Sequence, residues 1–360
     1  MARGNQNRDG VKIVKNHSKI DVEILGESCN LEVYSDSRTI RFNSEGQYRK
    51  DDEVKDLDIP VAEVDALNAL VASGVLNSDE FKQKIIDWCN QQRSYCGEDL
   101  LEEKDFWDDF QPKTLVTTKR SSTQDIYYGK VIVALCGEVH ISEPEHGISI
   151  EIFNNEVIGM GFYMDFQQSR HFKYHKNPLK SGSFKNDKTV KCECCNEETD
   201  LYYPGPFYNV VKNVEALCPA CIGTGRAIEK FTGKYSSGKT AVPSFVASAE
   251  KIEGEHTETR KKQLYEHTPS YQGWQDEKWL AHCDDYCRYI GYVGWDELNQ
   301  RARDIDSSTT ETAPIIELIE PADIDDKEFL ETRLRKNGNV TGYLFACLRC
   351  KKYRLHVDMN

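Results

Sequence analysis

Lys191-Cys192-Glu-Cys194-Cys195-Asn196, with Cys218-Pro-Ala-Cys221 beginning after twenty-two residues counted from Cys195, is the stretch that decides how the second half of this chain folds. A spacing of two residues lets one tight turn aim two thiolates at one ion. Zinc takes four such ligands at tetrahedral corners, with sulfur about 2.3 Å away. Two turns therefore close one site, and the gap of twenty-two residues suits a zinc ribbon or treble-clef-like unit. Asn196 tolerates the left-handed conformation that such a knuckle uses, and Pro219 stiffens the second turn. Ile222, Ala227, Ile228 and Phe231 then mark a short helix with Arg226 and Lys230 on its outer face.

Working outward, nine of the thirteen cysteines fall in four clusters in the second half, the remaining two being Cys283-Asp-Asp-Tyr-Cys287 and Cys347-Leu-Arg-Cys350. Cys347 and Cys350 lie between the strand-like segments 342–346 and 353–357, which predicts a hairpin with a knuckle at its tip. Its partners are expected to be Cys283 and Cys287, with His282 beside them as a competing ligand. The expectation is two structural zinc ions held by Cys192, Cys195, Cys218 and Cys221 and by Cys283, Cys287, Cys347 and Cys350. Cys194 breaks the two-residue spacing and reads as a spare thiol. The alternative is a set of buried, unmetallated cysteines. Redox catalysis would need a thioredoxin-like βαβ context, which the pattern lacks. A site closed by four protein ligands also leaves no position for an activated water, which speaks against hydrolytic zinc chemistry.

The first half has a different character. In residues 1–170 there are 31 Asp and Glu against 19 Lys and Arg, a balance of −12; the remaining 29 against 27 leave −2 of the total −14. Such a surface repels nucleic acid and attracts a basic partner. Period-two alternation at 11–14, at Ile20-Asp-Val22-Glu-Ile24, at Leu31-Glu-Val33 and at 39–42 predicts short antiparallel strands. Pro60 opens a helical pattern in Val64, Leu67, Leu70 and Val71. A second pattern, Phe81, Ile85, Trp88 and Cys89, follows the capping sequence Asn77-Ser78-Asp79. The acidic run 97–109 is interleaved with Leu100, Leu101, Phe106 and Trp107, so one side of it is expected to pack. Strands return at 131–135, 146–153 and 157–162. The order is β-α-β, an α+β domain over 1–168, joined to a small α+β zinc domain over 169–360. Residues 304–328 read as an irregular connection. Residues 1–14 carry no apolar signal core and no run approaches a membrane helix, so the protein is expected to be cytoplasmic, where cysteine pairs are metal ligands rather than disulfides.

Residues 172 to 360 resemble the CbrC family of bacterial proteins, associated with colicin tolerance. The likeness rests on Phe172-Lys-Tyr-His-Lys-Asn-Pro178, Cys192-x-Cys-Cys195, Tyr203-x-Gly205-Pro-Phe-Tyr208 and Leu217-Cys-Pro-x-Cys-Ile222. It continues through Thr268-Pro-x-Tyr-x-Gly-Trp274, Trp279-Leu-x-His-Cys283, Gly291-Tyr-Val-Gly294 and Cys347-x-x-Cys-x-Lys-Tyr-Arg-Leu-x-Val-Asp358. It implies zinc binding, a link to surviving a nuclease-type bacteriocin, and no established catalysis. Residues 1–168 are similar, through Tyr128-Gly129 and Glu145-His146-Gly147, to an uncharacterised bacterial α+β family found near toxin–immunity genes, although that family's Trp-Asp is replaced here by Ile141 to Pro144. The reading is thus a non-catalytic zinc protein whose acidic domain covers a basic toxin. Its alternatives are an enzyme acting on nucleic acid or a small metabolite, and a zinc-dependent regulator or adaptor. His140 and His146 with Glu143 and Glu145 are a weaker candidate for acid–base or metal chemistry. Tyr202, Tyr203, Phe207, Tyr208, Tyr271, Trp274 and Trp279 could stack bases, or pack the core around the knuckles.

Overall fold

The computed structural model describes residues 18–35, 60–141, 146–162, 170–273, 275–320, 323, 326–336 and 338–359. The strand patterns expected at 11–14 and 39–42, together with Glu143, Glu145 and Trp274, lie outside them. The chain divides into two compact units, one of Met1–Arg120 with Gly129–Gln168 and the other of Ser121–Tyr128 with Ser169–Asn360.

The first unit is a six-stranded sheet in chain order, β1 (Ser18–Ile24), β2 (Glu27–Ser35), β3 (Phe110–Lys119), β4 (Val131–Val139), β5 (His146–Phe153) and β6 (Glu156–Phe162). Four of the five pairings are antiparallel, and β2 runs parallel to β3 with Val33 opposite Leu115. The parallel pair departs from the expected antiparallel sheet. Its cause is visible in the connection, because helices α1 (Val61–Ser73) and α2 (Asp79–Cys96) form the crossover that parallel neighbours require. Pro60 precedes α1. Ser78 caps α2 by accepting from the Phe81 amide at 3.1 Å, and Gly74 and Gly97 end the two helices at φ 72° and 74°. Leu67, Leu70, Phe81, Ile85 and Cys89 of these helices meet Leu115, Val133, Leu135, Ile148 and Ile150 of the sheet in one core. Full burial of a side chain such as Phe81 contributes about 2–3 kcal/mol.

The acidic run packs as its interleaving foretold. Leu101, Phe106 and Phe110 are buried while Leu100 stays exposed, and a short helix, α3 (Phe106–Asp109), leads directly into β3. Asp109 is buried too and pairs with Arg93. Burial pushes its carboxyl above the ordinary range, against the opposing pull of Arg93.

The second unit is built of short pieces. β7 (Val190–Lys191) pairs with β8 (Glu198–Thr199), and two short helices follow, α4 (Pro219–Gly223) and α5 (Arg226–Phe231). Next come β9 (Gly233–Lys234) with β10 (Thr240–Ala241), β11 (Ser248–Ala249), helix α6 (Thr257–His267) and β12 (Lys278–Trp279). A tiny hairpin, β13 (Ala281–His282) and β14 (Asp285–Tyr286), leads to a three-stranded antiparallel sheet of β15 (Arg288–Val293), β16 (Val340–Ala346) and β17 (Tyr353–Met359). Between β15 and β16, residues 304–328 are not simply irregular. The described residues of 295–333 include four short helical turns, α7 (Trp295–Leu298), α8 (Ala302–Ile305), α9 (Ile315–Leu318) and α10 (Lys327–Arg333). These bury Leu298, Ala302, Ile315, Ile319 and Leu330 on the sheet, and that burial organises a stretch whose composition reads as loop.

Aromatic rings fill the centre of the second unit. Tyr271 stacks on Tyr289 at 4.5 Å between centroids, and Trp279, Tyr343 and Phe345 pack around them. Tyr203, Tyr271 and Trp279 are at most 1% exposed, so these rings are core and offer no face to a base.

Candidate metal centre

Each knuckle is a turn at the end of two strands. In the first, between β7 and β8, the Cys192 amide donates to the Glu197 carbonyl at 2.9 Å and the Asn196 amide returns to the Cys192 carbonyl at 2.8 Å. In the second, between β16 and β17, the Cys347 amide donates to Lys352 at 2.8 Å and the Lys351 amide returns to Cys347 at 3.2 Å. The residue after the second cysteine is left-handed in both, Asn196 at φ 65° and Lys351 at φ 63°. Two unrelated stretches of chain thus make the same turn. That turn leaves both thiols of a Cys-x-x-Cys on one side.

The first quartet is completed by the start of α4. Cys218 is the residue before the helix and Pro219 is its first, where the missing amide hydrogen costs nothing. Cys221 lies one turn on. The ligand atoms of Cys192, Cys195, Cys218 and Cys221 all lie within 4.8 Å of one another. The Cys195 and Cys218 sulfurs are 3.9 Å apart, close to the ~3.8 Å edge of a tetrahedron with 2.3 Å metal–sulfur bonds. The Cys218 amide donates to the Cys192 sulfur at 3.2 Å. Hydrogen bonds from Cys195, Cys218 and Cys221 lower the Cys192 thiol from its ordinary pKa, which favours the thiolate that a metal takes. Arg226 shifts upward in spite of partial burial, because the Cys221, Cys194 and Cys195 sulfurs lie beside it. That cation offsets part of the charge of clustered thiolates. Cys194 is buried next to Cys221 but is not a member of the quartet, as its spacing suggested.

The second quartet differs from expectation in one ligand. The four residues brought within 4.8 Å are His282, Cys283, Cys347 and Cys350. His282 Nδ1 is 3.1 Å from the Cys283 sulfur and 3.3 Å from that of Cys350, and the Cys350 amide points at the Cys347 sulfur at 3.5 Å. Cys287, assigned from its spacing, is not in the group. Its amide donates to the Leu280 carbonyl at 2.9 Å and its carbonyl accepts from Trp279 Nε1 at 2.8 Å, which turns its side chain into the core. Burial raises the Cys287 thiol, and no part of it is exposed. The physical reason lies in the β13–β14 hairpin. Cys283 and Asp284 form a two-residue turn with φ 53° and 56°, and this turn presents His282 and Cys283 together at its tip.

On its far side His282 Nε2 faces Glu320 Oε1 at 3.5 Å, and Lys352 holds that carboxylate in an ion pair. A histidine that ligates through one nitrogen generally has the other oriented by a carboxylate. Glu320 went unrecognised in the sequence because it lies within a stretch read as connection. The signal available was Ile319, a buried anchor one residue before it. Neither quartet has a carboxylate ligand, and the soft sulfur-rich donor sets fit zinc better than calcium or magnesium. Among the other candidates, His140 Nδ1 lies 3.4 Å from the Asp109 carbonyl.

The model of an uncharacterised protein family, UPF0167, matches residues 170–359. This span exceeds half of the chain and contains both quartets. The chain belongs to the UPF0167 family. UPF0167 proteins of Mycobacterium bovis and Mycobacterium tuberculosis are each 32% identical over 192 residues, 53% of this chain and 94% of theirs. A UPF0167 protein of Pseudomonas aeruginosa is 28% identical over 199 residues, 53% of this chain and 97% of its own. No solved structure matches. The UPF0167 portion therefore contains both quartets that could hold a metal ion, and residues 1–169 lie outside the family match. Among the described residues no helix is long and apolar enough to cross a membrane.

Proposed function

We propose that the protein is a non-catalytic two-zinc protein of bacterial toxin tolerance. The observation that carries the metal assignment is the pair of matched knuckles, each closing a four-ligand group with sulfur-rich donors. Cys192, Cys195, Cys218 and Cys221 hold one zinc in a treble-clef-like arrangement, with the second ligand pair at the start of a helix. His282, Cys283, Cys347 and Cys350 hold the other. With four protein ligands each, neither ion keeps the open position that catalytic zinc uses, and the role of the metal is to hold the fold.

The resemblance to CbrC proteins supplies the link to colicin tolerance, and the balance of −12 in residues 1–170 supplies the partner, a basic protein of the nuclease-toxin type. Opposite charge would speed the encounter and select the partner. A reducing cytoplasm would keep the thiolates available to metal. Two measurements test the proposal. Elemental analysis of the purified chain is expected to give two zinc per chain, and one or none would overturn the assignment. Co-expression with a basic nuclease toxin is expected to protect the cell, with a complex formed in vitro. Neither binding nor protection across a panel of such toxins would end the immunity reading while leaving the metal assignment standing.

A further inference from the structure

The motif Phe172-Lys-Tyr-His-Lys-Asn-Pro178 takes no part in either quartet, yet it is held firmly. His175 is fully buried, with Nδ1 at 2.8 Å from the Pro269 carbonyl and Nε2 at 2.6 Å from Ser181 Oγ. The next residues form a turn in which the Lys180 amide donates to Asn177 Oδ1 at 3.2 Å and the Ser181 amide to the Asn177 carbonyl at 3.1 Å. This fixed turn makes one wall of a half-enclosed cavity of about 80 Å³ in the second unit, with Gln124, Arg288 and Asp306 on its other walls. A cavity of that size has room for several waters, and so for one tetrahedral oxyanion.

The charge of the lining is one-sided. Lys176, Lys180 and Arg288 line the cavity with a single carboxylate, Asp306, leaving an excess of two positive charges. Arg288 is aimed by its neighbours, with Nη2 at 3.2 Å from Asp306 Oδ2 and 2.6 Å from Ser308 Oγ. Lys180 Nζ donates to the Ile305 carbonyl at 3.2 Å and keeps its other two hydrogens. Lys176 has no ion-pair partner among the described residues. The amides of Asn177 and Gln124 add neutral donors at the rim. Cations brought together on rigid turns with spare donors match a doubly charged oxyanion far better than a carboxylate or a neutral solute.

We propose that this cavity is a binding site for a phosphate dianion, free or as the terminal group of a small phosphomonoester. Lys176, Lys180 and Arg288 would supply the charge, and Asn177 and Gln124 the neutral hydrogen bonds. The site is separate from both metal quartets and independent of the zinc reading.

The test is calorimetric titration of the full zinc-loaded chain with inorganic phosphate and, in parallel, with phenyl phosphate. Saturable one-to-one binding is expected, falling as salt is added. Lys176→Gln and Lys180→Gln should each weaken it about tenfold, the loss of one charge-assisted hydrogen bond, with melting temperature and zinc content as in the parent. Equal affinity for the two ligands would identify the free anion as the occupant, and tighter binding of phenyl phosphate a monoester; both support the site. Absence of saturable binding, or binding equally strong in both variants, would overturn it. Should Lys180→Gln disturb the fold through Ile305, Lys176→Gln carries the test alone.

Discussion

The most discriminating perturbation is a pair of single substitutions in the β13–β14 region, His282→Ala and Cys287→Ala. Spacing favours Cys287 as a ligand, whereas geometry favours His282. Structural zinc contributes about 10–16 kcal/mol in small finger peptides, so one ligand of four accounts for roughly 3 kcal/mol. At 1.4 kcal/mol per factor of ten, His282→Ala should weaken the second site by about two orders of magnitude. Cys287 is wholly buried, has a raised thiol and is tied by its backbone to Leu280 and Trp279. Its truncation leaves a small void costing about 1 kcal/mol of stability and no metal affinity. The assay is competition with a chromophoric chelator chosen to spare the parent's second site. His282→Ala should give up one zinc, Cys287→Ala none, and His282→Cys should restore retention through a fourth sulfur. Loss of zinc from Cys287→Ala with retention in His282→Ala would refute the geometric assignment.

Other consequences can be checked independently. Burial lowers His175 to about pH 4 from an ordinary 6.5, with its hydrogen bond to the Pro269 carbonyl opposing the shift. The unfolded chain therefore takes up this proton first, and stability falls by ~1.4 kcal/mol per pH unit between about 6.5 and 4, some 3 kcal/mol in all. Imidazole nitrogen shifts should report a neutral His175 at pH 5.5, and a charged ring there would contradict its burial. Ser78→Ala removes the cap of α2 and should cost about 1 kcal/mol, read as a lowered urea midpoint; an unchanged midpoint would mean that the Phe81 amide finds another acceptor. Removing metal with a strong chelator should abolish hydrogen-exchange protection in β15–β17 while amides of β3–β5 keep theirs, because no quartet lies in the six-stranded sheet. Simultaneous loss in both would show that the sheet depends on the metal too.

The parts that were legible are those fixed by neighbours in sequence. A Cys-x-x-Cys knuckle is a local turn, so Cys192 with Cys195 and Cys347 with Cys350 follow from spacing alone. Pro60 before α1 and the Ser78 cap of α2 are equally local. The second quartet departs from its spacing by one residue, because its other half depends on which way a strand faces. A two-residue turn at Cys283-Asp284 sets that direction, and its left-handed conformation is unusual enough outside glycine that composition gives little hint of it. The parallel pairing of β2 with β3 failed for a related reason. Alternation shows which residues pair with a core, and says nothing about the direction of the neighbouring strand. Residues 304–328 read as polar, and among the described ones Ile315 and Ile319 are buried in the core beside the three-stranded sheet.

The separation of ligands along the chain gives the two quartets different weight as cross-links. Cys192 and Cys218 are 26 positions apart, whereas His282 and Cys347 are 65 apart. By the chain-entropy relation for a covalent bridge, tying off 26 residues removes about 3.5 kcal/mol of unfolded-state freedom and tying off 65 about 4.3 kcal/mol. The more exposed quartet, with Cys283 and Cys350 at the surface, thus spans the longer loop. Everything from β14 through the helical turns to β16 lies inside that loop. Metal exchange at the surface would then act on the conformational freedom of some sixty residues at once, while the more buried quartet governs only the short span between β7 and α4.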